Sequence, residues 1–359
     1  MVNDDLKQGG FSRRQVLVGG AVGTVGVAAM LGSPRAVWAA PTTLTIPNSG
    51  GALEAAFKAA YFDTFQAQTG IGIVSAPYMD ASRIKAMVDN KAVDVDVINV
   101  DSVEAATMAR MGLLEPIDYD IVDKSSLIPT AAHEYYLLAD VAALVMAWST
   151  RSFNAQNRPT TWVEYFNVKK MPGMRSAWKM ASQTLEIAAL GGGQDPSKLY
   201  PLNLDLAFAT LDMVKKSNLT WWTSGAQSAQ LLVDGEIDLG TAWNGRVYKP
   251  KTDGAPIDYT YDQALYSSDA MVVPKGARNK KASMQFLAHM MEAKHQAAFA
   301  TLIPYGPVNN KAFELLSADA LKVLPNSPEN GKTGIYQDAN YWAENGEVVL
   351  ARFNNWLVS

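Results

Sequence analysis

Residues 236–246, Glu236-Ile237-Asp238-Leu239-Gly240-Thr241-Ala242-Trp243-Asn244-Gly245-Arg246, constrain the fold most. Ahead of them, Ser228 to Val233 has helical character and stops at Asp234-Gly235, a turn signal. Ile237, Leu239, Gly240 and Ala242 then form a short buried run that Trp243 closes. Gly245 lets the chain turn, and Arg246 is expected to project from the loop. Helix, turn, strand and loop in this order suit an open α/β sheet, whose ligands sit beyond the carboxyl ends of its strands. An aromatic plane beside a guanidinium suits a small ligand with a flat or cationic part and an anionic part. A structural Trp and a surface-paired Arg would give the same pattern.

The rest of the chain repeats the alternation. Leu44-Thr45-Ile46-Pro47 reads as a strand, followed by Asn48-Ser49-Gly50-Gly51 and a helix over about 53–69. Gly50 and Gly51 serve either a tight turn or a backbone approach that offers amides to a ligand. Residues 72–75 and 94–101 are further strands. Asp101 ends the second of these, where it either caps the next helix or faces a ligand ammonium. Residues 141–148 form an apolar strand after Asp140, and a crossover to a second lobe is expected there. Trp221-Trp222 is an aromatic strand end, and residues 266–277 read as a loop entering a returning strand. Helices are expected over 281–291, 293–302 and 334–356.

The leader is the most specific local signal. Ser12-Arg13-Arg14-Gln15-Val16-Leu17 holds twin arginines ahead of an apolar Gly/Ala-rich run, and Val37-Trp38-Ala39 offers small outer residues. A twin-arginine signal peptide over 1–39, cleaved after Ala39, is expected, with a periplasmic product. The run, about 16 residues, is short against the roughly 20 a membrane span needs.

The chain has 359 residues, no cysteine and a net charge of −4. That balance argues against nucleic acid as partner. No P-loop or GxGxxG follows a strand, and no GxSxG elbow or cysteine nucleophile appears. His133, His289 and His295 show no paired-ligand spacing, so no metal or cofactor is expected, and the last two read as helix-surface residues. What gathers at strand ends is acids, aromatics and one Arg, a set that binds a small polar ligand without transforming it.

Several segments together resemble the spermidine/putrescine-type solute-binding proteins of ABC importers. They are the leader, the Gly50-Gly51 loop, residues 239–245, Asp269 ahead of residues 271–277, and Pro304-Tyr305-Gly306-Pro307-Val308-Asn309. The resemblance implies an α/β, two-lobed periplasmic binding protein fold of type II. A ligand would lie between lobes joined by hinge strands, and a monomer would dock on an inner-membrane permease. The lobes would be 43–146 plus 270–325, and 147–269, with 326–359 as a C-terminal helical segment. By position, Trp243 matches an aromatic on the ligand's carbon chain, Asp269 an acid for its ammonium, and Tyr305 another wall residue. Asp101 falls where polyamine binders use a small polar residue.

The chain also departs from that pattern. Asn48-Ser49-Gly50-Gly51 replaces a loop Trp, Met180 and Gln183 stand where acids are usual, and Arg246 adds a cation. A cation there repels a second ammonium. The expected ligand is therefore an amine-bearing zwitterion, γ-aminobutyrate-like, amino acid or aminophosphonate, held by Ser49, Gly50, Gly51, Asp101, Gln183, Trp222, Trp243, Arg246, Tyr266, Asp269 and Tyr305. Polyamine binding is the alternative. A hydrolase or a chemoreceptor adaptor using the same cleft are alternatives of another class.

Overall fold

The structure, a computed structural model, describes residues 42–48, 50–215 and 218–359. The leader and Ser49 lie outside these residues. Eleven strands occur among the described residues: β1 (Thr43–Asn48), β2 (Gly72–Pro77), β3 (Ile98–Asp101), β4 (Tyr136–Leu138), β5 (Ala142–Ser149), β6 (Arg175–Trp178), β7 (Leu219–Trp222), β8 (Leu239–Trp243), β9 (Ile257–Ser267), β10 (Asp269–Val272) and β11 (Ile335–Tyr336).

The fold is two-lobed and α/β, with the strands divided between two regions. β1 pairs in parallel with β2, and β10 lies antiparallel between β3 and β4. Thr45 accepts from the Asp96 backbone amide and donates its own amide to the Asp96 carboxylate, which fastens β1 beside the approach to β3. The other region is one six-stranded sheet in the order β11-β9-β5-β8-β6-β7. Its β5 is buried along almost its whole length, the continuous apolar run of a strand covered on both faces.

Two adjacent crossings join the regions, and a third carries the chain on from the helices after β10 to β11. Residues 139–141 carry the chain from β4 to β5, and Ser268 alone separates β9 from β10. They are hydrogen-bonded to each other, since Ala139 donates to the Asp269 carbonyl at 2.8 Å and Asp269 donates its amide to Asp140 Oδ1 at 3.3 Å. Val141 and Gly306 exchange backbone hydrogen bonds beside them, which seats the Pro304–Tyr305 loop against the first crossing.

Local signals account for the helices near these ends. Ser224 caps the helix Gly225–Asp234 through the Gln227 amide, and Gly235, at φ 78°, ends it in the left-handed conformation. The expected helices over 281–291 and 293–302 appear as Lys280–Met291 and Ala293–Leu302. Three expectations are corrected. Residues 244–252 form a helix, Asn244–Thr252, so Arg246 stands on its first turn and not on a loop. Residues 266 and 267 finish β9, and residues 335–336 are β11, so the C-terminal helix begins only at Ala339. His289 and His295 are buried, not on the helix surface. No described helix is long and apolar enough to cross a membrane.

Candidate functional site

Two carboxylates meet where β3 and β10 pair, because the register sets Asp269 opposite Asp101. Asp101 caps the helix Ser102–Arg110 through the Val103 amide at 2.8 Å, so the capping role holds. Its side chain nevertheless stays exposed to solvent. The protein crowded around it pushes its pKa up to about 6, against the Val103 and Glu104 amides, and the Glu104 charge adds to the rise. Asp269 is half-buried and raised to about 7, first by burial and then by the Asp101 charge.

Asp140 is a third carboxylate at this point, and its position gave no sequence signal. It is buried, and its Oδ2 makes no hydrogen bond. Burial, then the Asp269 charge, pushes it well above the usual carboxylate range. Tyr78, just beyond β2, was also not anticipated. It is exposed, it hydrogen-bonds Glu104, and it feels the Asp101 charge.

The other side of the site is aromatic and cationic. Trp178 stacks on Trp222 with centroids 5.5 Å apart, and Trp243 stands nearly perpendicular to both rings, with centroids at 5.1 and 5.4 Å. Trp243 donates its indole N–H to Gln183 Oε1 at 3.1 Å. Gln183 pays for that position with a backbone φ of 67°, a left-handed value uncommon for a residue with a side chain. A Cβ on Gly225 would lie 2.8 Å from the Trp243 ring and 2.9 Å from Arg246 Nε, so only glycine leaves room for both. The Arg246 guanidinium is exposed, with no ion-pair partner among the described residues.

Tyr305 links the two sides. A Cβ on Gly245 would meet its ring at 3.2 Å. Its hydroxyl is held above the ordinary phenol range by burial and then by Asp269 and Asp140, while Arg246 acts in the opposite sense. The ring therefore lies within electrostatic reach of both the acids and the arginine. Asn244 fixes this arrangement from behind. Its Oδ1 accepts from Ala143 N at 3.1 Å, and its Nδ2 donates to the Pro304 carbonyl and the Tyr261 hydroxyl.

Asp101, Gln183, Trp243, Arg246, Asp269 and Tyr305 thus fall into two connected groups bridged by Tyr305. Trp222 is corrected from wall to support: it is fully buried and its N–H is satisfied by Thr241 at 3.0 Å. Tyr266 is corrected as well, since it is buried at the end of β9 with its hydroxyl donated to the Pro325 carbonyl. Gly50 and Gly51, at φ 72° and 64°, form the turn after β1, where Gly50 donates to Asn48 Oδ1. No described contact joins that turn to the aromatic group. Trp178 was missed because a single Trp at the end of a short strand is unremarkable until its neighbours are known.

Residues 60–330 match the family model described as bacterial extracellular solute-binding protein. The gamma-aminobutyric acid-binding protein of Pseudomonas aeruginosa is 33% identical over 321 residues, 88% of this chain and 90% of that protein. The solved structure of the Atu4243–GABA receptor is 34% identical, with a TM-score of 0.81, covering 89% of this chain and 98% of that one. A spermidine/putrescine-binding periplasmic protein of Haemophilus influenzae is 22% identical over 266 residues, 71% of this chain and 73% of that protein.

Proposed function

This chain belongs to the bacterial extracellular solute-binding proteins, and from that premise we propose that it captures a small ω-amino acid zwitterion of the γ-aminobutyrate kind for delivery to an ABC permease in the inner membrane. The observation that carries the reading is the pairing of opposite charges across aromatic walls. Arg246, without an ion-pair partner among the described residues, lies beside Trp243 at Gly225, while Asp101 and Asp269 face each other beyond Tyr305.

In this reading the ligand ammonium sits between Asp269 and Asp101 and relieves their mutual repulsion. The Trp243 and Tyr305 rings cover the methylene chain. Arg246 takes the carboxylate through two parallel hydrogen bonds, a fork that lysine lacks. Ligand length is selected by the distance between the acid pair and the guanidinium. A diamine would set its second ammonium against Arg246, a like-charge contact costing several kcal/mol when desolvated. The lobes are taken as 43–146 with 270–325, and 147–269, closing on the ligand about the crossings. Export through the twin-arginine leader completes the proposal.

Calorimetric titration with γ-aminobutyrate, 2-aminoethylphosphonate and putrescine tests it. Tightest binding of an ω-amino acid supports the reading, and putrescine binding more tightly than either zwitterion overturns it. Ligand recovered chemically unchanged separates capture from turnover.

A further inference from the structure

The helices Lys280–Met291 and Ala293–Leu302 are separated by one residue, Glu292, whose φ of −64° and ψ of 137° break the helical path. The bend brings His289, on the last turn of one helix, against His295, on the first turn of the next, with ring centroids 3.7 Å apart. Both rings are more than nine-tenths buried. Two nitrogens, His289 Nδ1 and His295 Nε2, make no hydrogen bond. Each histidine offers one ligand atom, Glu292 offers a carboxylate oxygen, and the three lie within 4.8 Å of one another.

The surrounding hydrogen bonds fix what those nitrogens carry. Thr64 Oγ1 donates its hydrogen to the Ala60 and Tyr61 carbonyls, so towards His289 Nε2, 2.9 Å away, it acts as the acceptor. His289 is then protonated on Nε2, and Nδ1 holds a lone pair. The Ala60 carbonyl accepts a hydrogen bond from the His295 ring, and His295 Nε2 has no partner among the described residues. Two buried, unpartnered imidazole nitrogens therefore stand in one cluster with a carboxylate. Outer partners that fix the tautomer in this way are the usual support of metal-ligating histidines.

We propose that His289 Nδ1, His295 Nε2 and the Glu292 carboxylate bind one borderline divalent transition-metal ion of the zinc or nickel class, with solvent completing its coordination. Two imidazoles and a carboxylate suit that class. Ligand atoms about 2.1 Å from a tetrahedral ion stand roughly 3.4 Å apart, so the donors close by about 1 Å on binding. Glu292 Oε2 is already 3.9 Å from His295 Nε2, and the ion displaces Lys294 from its 2.8 Å contact with Glu292. The site is structural: it staples the bend that leads through Leu302 to the Pro304–Tyr305 loop.

The test is titration of metal-stripped, purified protein with Zn²⁺, and with Co²⁺ as an optical probe. One equivalent should bind, raise Tm and give Co²⁺ visible bands. His295→Gln and Glu292→Gln should each weaken Zn²⁺ binding at least tenfold, while His133→Gln leaves it unchanged. Thr64→Val, which keeps the side-chain shape but removes the tautomer-fixing hydroxyl, should weaken it about tenfold. Glu292 is half-buried, so its variant folds even where a histidine variant does not; circular dichroism and γ-aminobutyrate binding check this. Absence of Zn²⁺ binding, or equal binding to wild type and Glu292→Gln, overturns the proposal.

Discussion

Asp269 and Asp101 are direct partners in the antiparallel β3–β10 pair, so two carboxylates occupy one side of the candidate site. Like charges in that position oppose folding. An unfolded chain releases the Asp269 proton near pH 4, whereas the folded protein keeps it until about pH 7. Between those values the folded state binds more protons, so stability falls as pH rises through the window. Asp269→Asn should therefore raise the Tm of ligand-free protein at pH 8 and leave it nearly unchanged at pH 4. Scanning calorimetry at the two pH values gives the comparison. A ligand ammonium needs the ionised pair, so γ-aminobutyrate affinity should drop roughly tenfold or more between pH 8 and pH 5.

Arg246 is exposed and forms no ion pair within the described chain, so its removal should leave the ligand-free fold unaltered. Binding is another matter. Arg246→Ala should cost about 2–5 kcal/mol of zwitterion affinity, because the ligand carboxylate is left buried without a partner. Arg246→Lys should recover only part of this, since an ammonium cannot reproduce the planar fork. Titration calorimetry on the three proteins measures both effects, and an unchanged affinity in Arg246→Ala would place this residue outside the site.

Gly225 isolates shape from charge. The added methyl of Gly225→Ala would press on the Trp243 ring and on Arg246 Nε together. Affinity should fall at least tenfold with every charged group still present, a size of effect expected when a binding group is displaced by about 1 Å. Trp fluorescence should shift in the ligand-free variant, reporting the moved ring. Wild-type affinity would mean that the Trp243 face is not part of the ligand wall.

Glu186 ties the C-terminal helix to the site's supporting structure. Its Oε1 accepts from Tyr200, Gln337 and Trp342, and the carboxyl is fully buried, which raises its pKa. Glu186→Ala leaves three donors without their acceptor and should cost about 3 kcal/mol or more. Glu186→Gln keeps an acceptor oxygen and should cost less. Urea denaturation compares them, and hydrogen exchange should show the loss concentrated in residues 339–358.

Residues whose place in the candidate site follows from standing at a strand end were legible before the structure. Trp243 and Asp269 belong to that group, and so does Arg246, even though its loop proved to be a helix. Asn244-Gly245 is a turn signal, and it outweighed a helix that tertiary contacts to the Asn244 side chain hold in place. Tyr266 misled for a different reason. Ile257, Tyr259 and Tyr261 alternate as a strand should, but Gln263 takes φ 50°, and β5 has a register shift opposite. The period is reset there, and Ala264, Leu265 and Tyr266 are all buried in succession. Asp140 could not be found by pattern at all. Its importance comes from the distant Asp269 amide, which a single chain pattern does not encode.

The two adjacent crossings give the site an unequal capacity to diverge. Asp269 follows Ser268, the one residue between β9 and β10, and its backbone is bonded to Ala139 and Asp140 on the other crossing. The place of that acid is therefore set by backbone bonds of the joint itself. Arg246 stands on one helical turn, and no salt bridge among the described residues holds its side chain. On the proposed reading, the amine end is thus positioned by the architecture, while the anion end hangs on a side chain with no such tie. Descent from such a scaffold would keep the amine requirement and let the opposite end of the ligand change first.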